Sequence, residues 1–367
     1  AKHTKMLKDA VNIPVFIGHN IFSPEDAEKM LAEGNADFVA LGRSQLAEPA
    51  WAKKAKEGRA SDIKPCINCL IGCIDRGMLS HTPIHCTVNP SLYRFECKPV
   101  EKAETRKQVA VVGAGPAGCE AALTASKRGH QVTIYEKRCI GGAMIEASKP
   151  ENKANIKRLI HYYEDHIMHD PNITLVKEEV EYETLVHSGY DAVIIAVGGK
   201  TRILNVPGIE KNSVIYASDY LNGSTAVTGN TVVVIGGGIT GAETALELNA
   251  EGKKVTIVEM TDAFLANFSS ACQAYLATIN ETDIKILTGK RLTAVHENNV
   301  ILTDRWGNET TVPADSVVIA AGFTSQNELS DKLEENTDMQ VFNVGDSKRI
   351  RQIYDAIHEG FIAARQI

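Results

Sequence analysis

Four cysteines stand close together in the stretch CINCLIGCIDRGMLSHTPIHC. Cys66, Cys69, Cys73 and Cys86 are separated by two, three and twelve residues. Iron–sulfur clusters are held by four Cys thiolates, often a tight triplet and a distant fourth, and this spacing can wrap a small cubic cluster in that way. Structural zinc prefers two separated C-x2-C or C-x2-H pairs, and Cys73 and Cys86 do not form a second such pair. The spacing therefore predicts an iron–sulfur segment, with zinc, a disulfide knot and incidental cysteines as the alternatives.

A glycine loop with the pattern of a dinucleotide site lies in Lys107–Lys137, the first repeat. A hydrophobic strand leads into Gly113-x-Gly115-x-x-Gly118, a helix follows, and a second strand ends at Glu136. In this pattern Gly113 makes the tight turn, Gly115 lets a pyrophosphate approach, and Gly118 allows close helix–strand packing. Glu136 would accept a hydrogen bond from a ribose hydroxyl.

The same pattern recurs in Thr231–Met260, the second repeat. Its key residues Gly236, Gly238, Gly241 and Glu259 follow those of the first repeat at a constant offset of 123 residues. Because each repeat has the strand, the glycines, the helix and the acid, we expect the chain to bind two dinucleotides.

Glu259 favours NADH over NADPH in the second repeat. A carboxylate at this position accepts from a free ribose 2′-hydroxyl and repels a 2′-phosphate. The next residues are Met260, Thr261 and Asp262, with no arginine that could accommodate the phosphate.

Two similar apolar strands, Asp191–Gly199 and Asp315–Phe323, each end in or near glycine. We expect the chain to cross between the two nucleotide domains there. A last strand, Gln340–Val344, runs into Gly345-Asp346. An Asp between a strand end and a helix N-terminus can bind a polyol hydroxyl, and a simple N-cap is the alternative.

Length and charge limit the function classes. The 367 residues with 44% apolar content suffice for two or three domains. The net charge of −7, without a basic block, argues against a nucleic-acid partner. No apolar run approaches the ~18 residues of a membrane span, and the first residues do not have a signal-peptide pattern. We therefore expect a cytoplasmic location and no membrane partner.

The first 62 residues predict two βα units. The predicted strands are Ile13–Gly18 and Ala36–Gly42, and the predicted helices are Ser23–Gly34 and Glu48–Glu57. Two such units cannot close a barrel, because their open edge needs a cover. We expect the missing strands to belong to a longer protein, or these residues to pack in another way.

Gly18 and Gly42 end the two predicted strands, and Arg43 follows directly. Glycine at the carboxyl end of a parallel strand lets a backbone N–H approach a phosphate, and (β/α)8 barrels commonly bind phosphate after strands seven and eight. Arg43 would add a bidentate partner. Ordinary strand-to-helix turns with a surface arginine are the alternative.

The two repeats and the terminal Gly-Asp together resemble the two-dinucleotide-binding-domain flavoproteins. In that family the first unit binds FAD, the inserted unit binds NAD(P)H, and the terminal Gly-Asp contacts the FAD ribitol. Members with a redox-active disulfide carry a Cys pair, whereas Cys139 stands alone here, so thioredoxin-reductase-like and glutathione-reductase-like functions are disfavoured. The resemblance implies FAD binding by Gly113, Ala114, Gly115, Pro116, Ala117, Gly118, Glu136, Lys137, Gly142, Gly198, Gly345 and Asp346, and NAD binding by Gly236, Gly238, Gly241, Glu259 and Gly322.

The front of the chain, VFIGHNIFSPEDAEKMLAEGNADFVALGRSQLAEPAW, resembles the last two βα units of the old yellow enzyme barrel. In that barrel the FMN phosphate sits at positions matching Gly18, Gly42 and Arg43. Barrel, four-cysteine segment and then FAD and NAD(P)H domains is the order in the 2,4-dienoyl-CoA reductase and trimethylamine dehydrogenase family. The CxxCxxxC…CTVNP arrangement matches that family's [4Fe–4S] segment. The resemblance covers essentially the whole chain, but only the C-terminal portion of the family's length.

This resemblance implies a flavin oxidoreductase that passes electrons from NADH to FAD, to the [4Fe–4S] cluster and then to FMN. The small-molecule substrate would carry an activated C=C bond, as in an enoate, a dienoyl-CoA or an enone. The substrate site and the catalytic acid would lie in the N-terminal barrel portion, so no catalytic residue is assigned in this chain.

Several alternatives stay open at this point. A trimethylamine dehydrogenase-like protein would hold ADP in the FAD site and export electrons from the cluster. A protein of another class would be a non-enzymatic electron-transfer subunit with inherited glycine loops. A glutamate-synthase small-subunit-like protein leaves the first two strands unexplained. A second copy of the chain is left open as a partner.

The sequence thus predicts an α/β protein with two Rossmann-like FAD/NAD(P)-binding domains, preceded by an Fe–S segment and the last two βα units of a TIM barrel. The expected boundaries are 1–62 for the barrel end, 63–103 for the four-cysteine segment, 104–205 with 325–367 for the FAD-binding domain, and 206–324 for the inserted NAD(H)-binding domain.

Overall fold

The computed structural model describes residues 2–92, 100–266 and 269–367, so Cys97 lies outside the described residues. The strands in these ranges are β1 (Phe16–Ile17), β2 (Phe38–Val39), β3 (Gln108–Val112), β4 (Gln131–Tyr135), β5 (Ile173–Val176), β6 (Ala192–Ile195), β7 (Lys200–Thr201), β8 (Val214–Tyr216), β9 (Thr231–Ile235), β10 (Lys254–Val258), β11 (Lys285–Leu287), β12 (Lys290–Val295), β13 (Asn299–Asp304), β14 (Glu309–Pro313), β15 (Ser316–Ile319), β16 (Phe323–Thr324) and β17 (Gln340–Asn343).

The α-helices in the same ranges are α1 (Lys2–Ala10), α2 (Pro24–Ala32), α3 (Arg43–Ala47), α4 (Trp51–Lys56), α5 (Pro116–Arg128), α6 (Met144–Ala147), α7 (Ala154–His169), α8 (Tyr182–His187), α9 (Ala217–Leu221), α10 (Ile239–Ala250), α11 (Ser270–Asn280), α12 (Glu328–Asn336) and α13 (Ile353–Gln366). A π-helix spans Ile71–Leu79, and 3₁₀ turns span Ala60–Asp62, Glu151–Lys153 and Gly345–Ser347.

The first repeat builds a parallel sheet with the strand order β17-β6-β3-β4-β5. Its central strand β3 is an unbroken apolar run, as expected for a strand covered on both faces. Helices α5, α7 and α13 pack with this sheet, and α13 lies so close to α5 that a Cβ on Gly360 would collide with the Ala117 carbonyl oxygen. This sheet and these helices are called the first nucleotide unit below.

The second repeat builds a parallel sheet of the same kind, with the strand order β11-β10-β9-β15-β8. Helices α10 and α11 cover one face, and the antiparallel sheet β12-β13-β14 packs with the other. Together they form the second nucleotide unit. The prediction of an α/β fold with two parallel Rossmann-like sheets is confirmed.

The chain passes between the two nucleotide units twice, and both passages lie side by side. The predicted strands Asp191–Gly199 and Asp315–Phe323 appear as the buried β6 and β15. Directly after them, β7 and β16 pair antiparallel, with Thr201 opposite Phe323.

The front of the chain contains the two expected parallel strands, but they are short, since among the described strands β1 and β2 have only each other as neighbours. They pair over two residues each, with Phe16 opposite Phe38. These two rings stack with their centroids 4.9 Å apart and are 63% and 50% exposed. Helix α2 begins as the sequence predicts, because the Ser23 hydroxyl accepts from the Asp26 N–H at 3.1 Å.

The helix predicted at Glu48–Glu57 starts late. Pro49 disfavours a helical conformation at the residue before it, and Glu48 is extended. Helix α3 therefore ends at Ala47, and α4 starts only at Trp51. No helix in the described part of the chain is long and apolar enough to cross a membrane.

Residues 63–92, the cysteine segment, are joined to the first nucleotide unit by a buried ion pair. Lys64 Nζ lies 2.5 Å from Glu120 Oε2, and the Tyr163 hydroxyl donates to the same oxygen at 2.9 Å. The Lys64 and Glu120 side chains are 13% and 8% exposed, so little water reaches either partner.

Lys64→Met is expected to destabilise the protein by about 3–5 kcal/mol, because the Glu120 carboxylate would stay buried without its cation. Lys64→Met combined with Glu120→Gln should cost less than the single change. The midpoint of urea unfolding measures both effects. Lys53→Met is the control, since its long, exposed pair with Glu57 contributes about 1 kcal/mol at most. Equal midpoints for the two lysine variants would contradict the expectation.

Candidate nucleotide and cysteine sites

The first glycine loop is held by backbone contacts that leave no room for side chains. Gly113 has φ = +100°, and a Cβ there would collide with the Ala196 carbonyl oxygen of the neighbouring strand connection. A Cβ on Gly118 would collide with the Gly113 carbonyl oxygen. Gly115 differs, because a Cβ there would meet nothing within 4 Å. Open space in front of the α5 N-terminus is what a pyrophosphate needs.

The Glu136 carboxylate fastens this loop to the end of β4. Its Oε2 accepts from the Ala114 N–H at 2.8 Å, and its Oε1 accepts from the Arg138 N–H at 2.7 Å. A carboxylate offers about four lone-pair sites, so two remain for a ribose hydroxyl. The sequence pattern predicts the ribose contact only, and it misses this bond to the loop.

The second loop repeats the arrangement. A Cβ on Gly241 would collide with the Gly236 carbonyl oxygen, while a Cβ on Gly238 would meet nothing within 4 Å. Glu259 accepts from the Gly237 N–H and from the Thr261 N–H, both at 2.7 Å.

Other residues expected near FAD gather at the N-terminus of α5. A Cβ on Gly142 would come within 2.8 Å of the Gly115 Cα, and one on Gly345 within 3.1 Å of the Ala117 Cβ. Pro116 is the first residue of α5. Lys137 instead forms an exposed ion pair with Glu179 at 2.7 Å.

Gly198 and Gly322 lie on the two passages between the nucleotide units. Both have positive φ, and a Cβ on either would meet nothing within 4 Å. The Gly198 carbonyl accepts from Gln326 Nε2 at 3.1 Å, and the Gly322 carbonyl accepts from the Arg202 N–H at 3.0 Å.

Asp346 lies in a 3₁₀ turn after β17, and its Oδ1 accepts from the Arg351 N–H at 2.9 Å. Burial raises the pKa of this carboxyl above its ordinary value. The N-cap alternative for Asp346 is wrong, because α13 begins only at Ile353 and has Gln352 as its N-cap.

An arginine that the local sequence does not reveal lies beside the end of β10. The β13–β14 turn brings Arg305 to 3.3 Å from Asp262 Oδ2, and its guanidinium stacks over the Trp306 ring at 4.4 Å. Asp262 is three residues after Glu259, so a cation is present near the expected ribose end of the second site. Arg305 reaches this position only because the β13–β14 hairpin folds toward Asp262.

The four cysteines Cys66, Cys69, Cys73 and Cys86 line one cavity of about 20 Å³, together with Arg43. Burial raises the pKa of the Cys66 thiol to about 11 and that of Cys86 to about 12, and it also raises the pKa of Cys69. These thiols are therefore protonated near neutral pH, and a bound cation would have to displace the protons.

The backbone around this cavity is unusual. Asn68 and Leu70 have positive φ, at 57° and 64°, which non-glycine residues rarely adopt. The π-helix Ile71–Leu79 contains Cys73, with Asp75 N–H bonded to the Leu70 carbonyl at 3.0 Å. Such helices are rare and are frequent at functional sites.

The four thiols match a polynuclear cluster in donor type and in number. In the described ranges no group of three or more His, Cys, Asp or Glu residues is placed so that it could hold a metal ion. Among the described cysteines none forms a disulfide, and Cys139 is exposed.

The expected FMN-phosphate residues lie at the front of the chain beside the cysteines. Gly42 precedes α3, and Gly18 lies near Ala40 of the neighbouring strand end. Arg43 donates to Asn68 and, at 2.8 Å, to Asn20 Oδ1. The guanidinium thus joins this region to the cysteine segment.

Helix α13 connects the cysteine segment to α5. His358 Nε2 donates to the Cys86 carbonyl at 2.9 Å, and His85 Nδ1 lies 2.8 Å from the Tyr354 hydroxyl. The Tyr354 and His358 rings stack with centroids 4.0 Å apart. The sequence pattern does not indicate these two hydrogen bonds, because the partners are 272 and 269 residues apart.

Two parallel sheets, each with a glycine loop, a helix and a carboxylate at the end of the next strand, define a flavoprotein fold with FAD- and NAD(P)H-binding domains. The chain belongs to the pyridine nucleotide-disulphide oxidoreductase family, whose model matches residues 107–360, and its residues 1–62 match the NADH:flavin oxidoreductase / NADH oxidase family. The predicted family membership is confirmed.

Known relatives cover the whole chain. An NADH oxidase of Thermoanaerobacter brockii is 38% identical over 98% of the chain and 56% of its own length. A cinnamate reductase of Clostridium sporogenes is 30% identical over 100% of the chain and 55% of its own length. The solved structure of a 2-naphthoyl-CoA reductase has a TM-score of 0.90 and 30% identity, and the match covers 99% of this chain and 56% of that one. The chain thus spans a little over half the length of these relatives.

Gly115→Ala and Gly118→Ala should separate FAD binding from folding. Gly115→Ala should keep the fold, since the new methyl group meets no protein atom, but should weaken FAD binding by roughly tenfold or more by filling the pyrophosphate space. Gly118→Ala should cost about 1–3 kcal/mol or more through overlap with Gly113. Thermal unfolding and the FAD content after dialysis measure the two effects. Equal losses of stability would contradict this division of roles.

Proposed function

We propose that this chain is the NADH-oxidising portion of a flavin enzyme that reduces an activated C=C bond in a small-molecule substrate. When bound, FAD would accept a hydride from NADH, and a [4Fe–4S] cluster would carry the electrons singly to FMN. The observation that carries the proposal is the pair of equivalent glycine loops, of which the first is connected through α13 to a cavity lined by four cysteines.

The first nucleotide unit would hold FAD. Its open space at Gly115 lies at the N-terminus of α5, where backbone N–H groups and the helix dipole favour a pyrophosphate. Glu136 would accept from a ribose hydroxyl while it keeps the loop in place. Gly345 approaches the same helix end, and together with Asp346 it would contact the ribitol.

The second nucleotide unit would hold NADH. Gly238 leaves the pyrophosphate space open, and Glu259 would accept from the ribose 2′-hydroxyl. Arg305 does not overturn the preference for NADH, because its guanidinium is already paired with the Asp262 carboxylate. A 2′-phosphate would have to compete with Asp262 and would meet the charge of Glu259.

The cysteine segment would hold the cluster. Four thiols from one segment line one cavity, which matches the four-cysteine ligation of [4Fe–4S] clusters. His358 donates to the Cys86 carbonyl and would fix the position of this ligand.

The proposed class of substrate rests on the similarity of this chain to known reductases. Relatives that match the whole chain include the cinnamate reductase and the 2-naphthoyl-CoA reductase, and this chain covers little more than half of each. In the whole protein, Gly18, Gly42 and Arg43 would contact the FMN phosphate, and the exposed Phe16–Phe38 pair would be covered by the N-terminal portion of the barrel. The catalytic acid would lie in that portion.

Anaerobic titration with NADH tests the nucleotide sites. About one equivalent of NADH should bleach the flavin absorbance, with a weaker response to NADPH. Gly238→Ala should fold but need roughly tenfold more NADH or worse, because its methyl group fills the pyrophosphate space. Gly241→Ala is the comparison variant, and it should lose stability instead. Release of ADP without flavin, or no bleaching by NADH, would refute NADH oxidation and favour the amine-dehydrogenase-like alternative.

The iron and sulfide contents test the cluster. Protein purified without oxygen should contain about four iron and about four sulfide ions per chain. Cys73→Ser should lower both contents, while Cys139→Ser, at an exposed cysteine outside the cavity, should leave them unchanged. About one zinc ion per chain and no sulfide would establish the alternative metal site.

A further inference from the structure

Each of the two nucleotide-binding helices carries a buried glutamate at the same position of the repeat. Glu120 on α5 and Glu243 on α10 are both buried and are 123 residues apart. Glu243 forms an ion pair with Lys153 and accepts from the Tyr275 hydroxyl at 2.6 Å, just as Glu120 is bound by Lys64 and Tyr163. Because burial raises the pKa of Tyr275, its hydroxyl stays a donor.

The Lys153–Glu243 pair crosses the boundary between the two nucleotide units. Lys153 ends the 3₁₀ turn that precedes α7 of the first unit, whereas Glu243 and Tyr275 lie on α10 and α11 of the second. The two charged side chains are 25% and 5% exposed. The contact is therefore a partly buried ion pair between the two units, in which the carboxylate is buried.

Neighbouring residues extend the contact along the same boundary. The Asn152 side chain opposes the rise in the pKa of Tyr275. One turn further along α10, burial raises the pKa of Glu247. The positive charge of Lys149, from the first unit, lowers this pKa, and the negative charge of Glu151 raises it further. Helix α6, just before this segment, packs against α9 of the second unit.

The local structure around Lys153 gives no other reason for a lysine. Lys153 is the N-cap of α7 and makes no capping bond. A cation at a helix N-terminus is unfavourable, because the helix dipole is positive there, and Ser, Thr, Asp or Asn would cap the helix better. The positive charge of Lys153 is instead explained by its ion pair with Glu243 on the second unit.

A second point of attachment lies on α11. Asp75 of the cysteine segment accepts from the Ser270 N–H at 3.0 Å, at the positive end of that helix. Helix α11 thus contacts the cysteine segment at its first turn and supports Glu243 through Tyr275.

We propose that Lys153 and Glu243 are positioning residues that fix the second nucleotide unit in one orientation on the first. The orientation would bring the nicotinamide held by the second loop to the flavin held by the first, so this inference rests on the proposed oxidation of NADH. A rotation that separates the pair while the boundary stays closed to water leaves a buried carboxylate unpaired, and such orientations should be rarer by a factor on the order of a hundred to a thousand. A mispositioned pair of rings slows hydride transfer without weakening cofactor binding.

Stopped-flow reduction of the FAD-loaded protein by NADH measures this effect. Lys153→Met should lower the limiting rate of flavin bleaching at least tenfold and leave the Kd for NADH within about twofold. Adding Glu243→Gln should restore part of the rate, because no buried charge is then stranded. Lys157→Met, an exposed lysine one turn along α7, is the matched control. Lys64→Met breaks the equivalent pair with Glu120. This change should lower the stability of the protein but leave the limiting rate of flavin bleaching unchanged.

Hydrogen exchange provides a readout that needs no catalysis. Backbone amides of residues 149–157 and of α11 should exchange at least tenfold faster in Lys153→Met than in Lys157→Met. Equal exchange in the two variants would overturn the proposal, as would an unchanged limiting rate in a protein that NADH bleaches. If NADH does not bleach the unsubstituted protein, the proposed function fails, and the exchange experiment alone decides on the positioning role.

Discussion

The structure depends on a close contact between backbone groups at the two glycine loops. In each nucleotide unit the first turn of the helix presses on the loop so tightly that a methyl group on Gly118 or Gly241 would overlap a carbonyl oxygen. The central strand, its parallel neighbours and the helix must all be in register for this contact to form. The buried apolar strands supply the stability for it, and the glycines remove the side chains that would prevent it. A carboxylate at the end of the adjacent strand then fixes the loop by its backbone N–H groups.

The third element, the cysteine segment, is built on different principles. It has little regular structure besides a π-helix, and its position is set by polar contacts to its neighbours. Lys64 binds α5, Asp75 binds α11, and the Cys86 carbonyl accepts from α13. Each contact ends on a helix of a nucleotide unit, so the position of the cysteine cavity follows from the packing of those units. The relay that we propose between two flavin sites would need such a fixed position, since electron transfer depends on the distances between its centres.

The fold was largely predictable from the sequence because its signals are local, whereas much of the site was not. Strand, glycine loop, helix and acid occur within thirty residues and recur at a constant offset, so both parallel sheets could be inferred. The contacts that sequence reasoning missed, Arg305 with Asp262, His358 with Cys86 and Lys153 with Glu243, join residues that are 43 to 272 positions apart. No periodicity predicts which lysine will be buried against which glutamate. The bond from Glu136 to its own loop was missed for another reason, because the motif assigns this carboxylate to the ribose and conceals its structural role.

The buried ion pairs have a different role from the apolar cores. A buried pair is weak support for stability, since the desolvation of both charges offsets most of their attraction. Such a pair instead specifies how the two elements are oriented, because only one arrangement leaves neither charge unpaired. The chain has such a pair on each nucleotide-binding helix, at the place where a separate element docks: the cysteine segment on Glu120 and the turn before α7 on Glu243. The apolar sheets can therefore keep the two units folded, while in the proposed enzyme the glutamates would determine how the nucleotide sites and the cysteine cavity face each other.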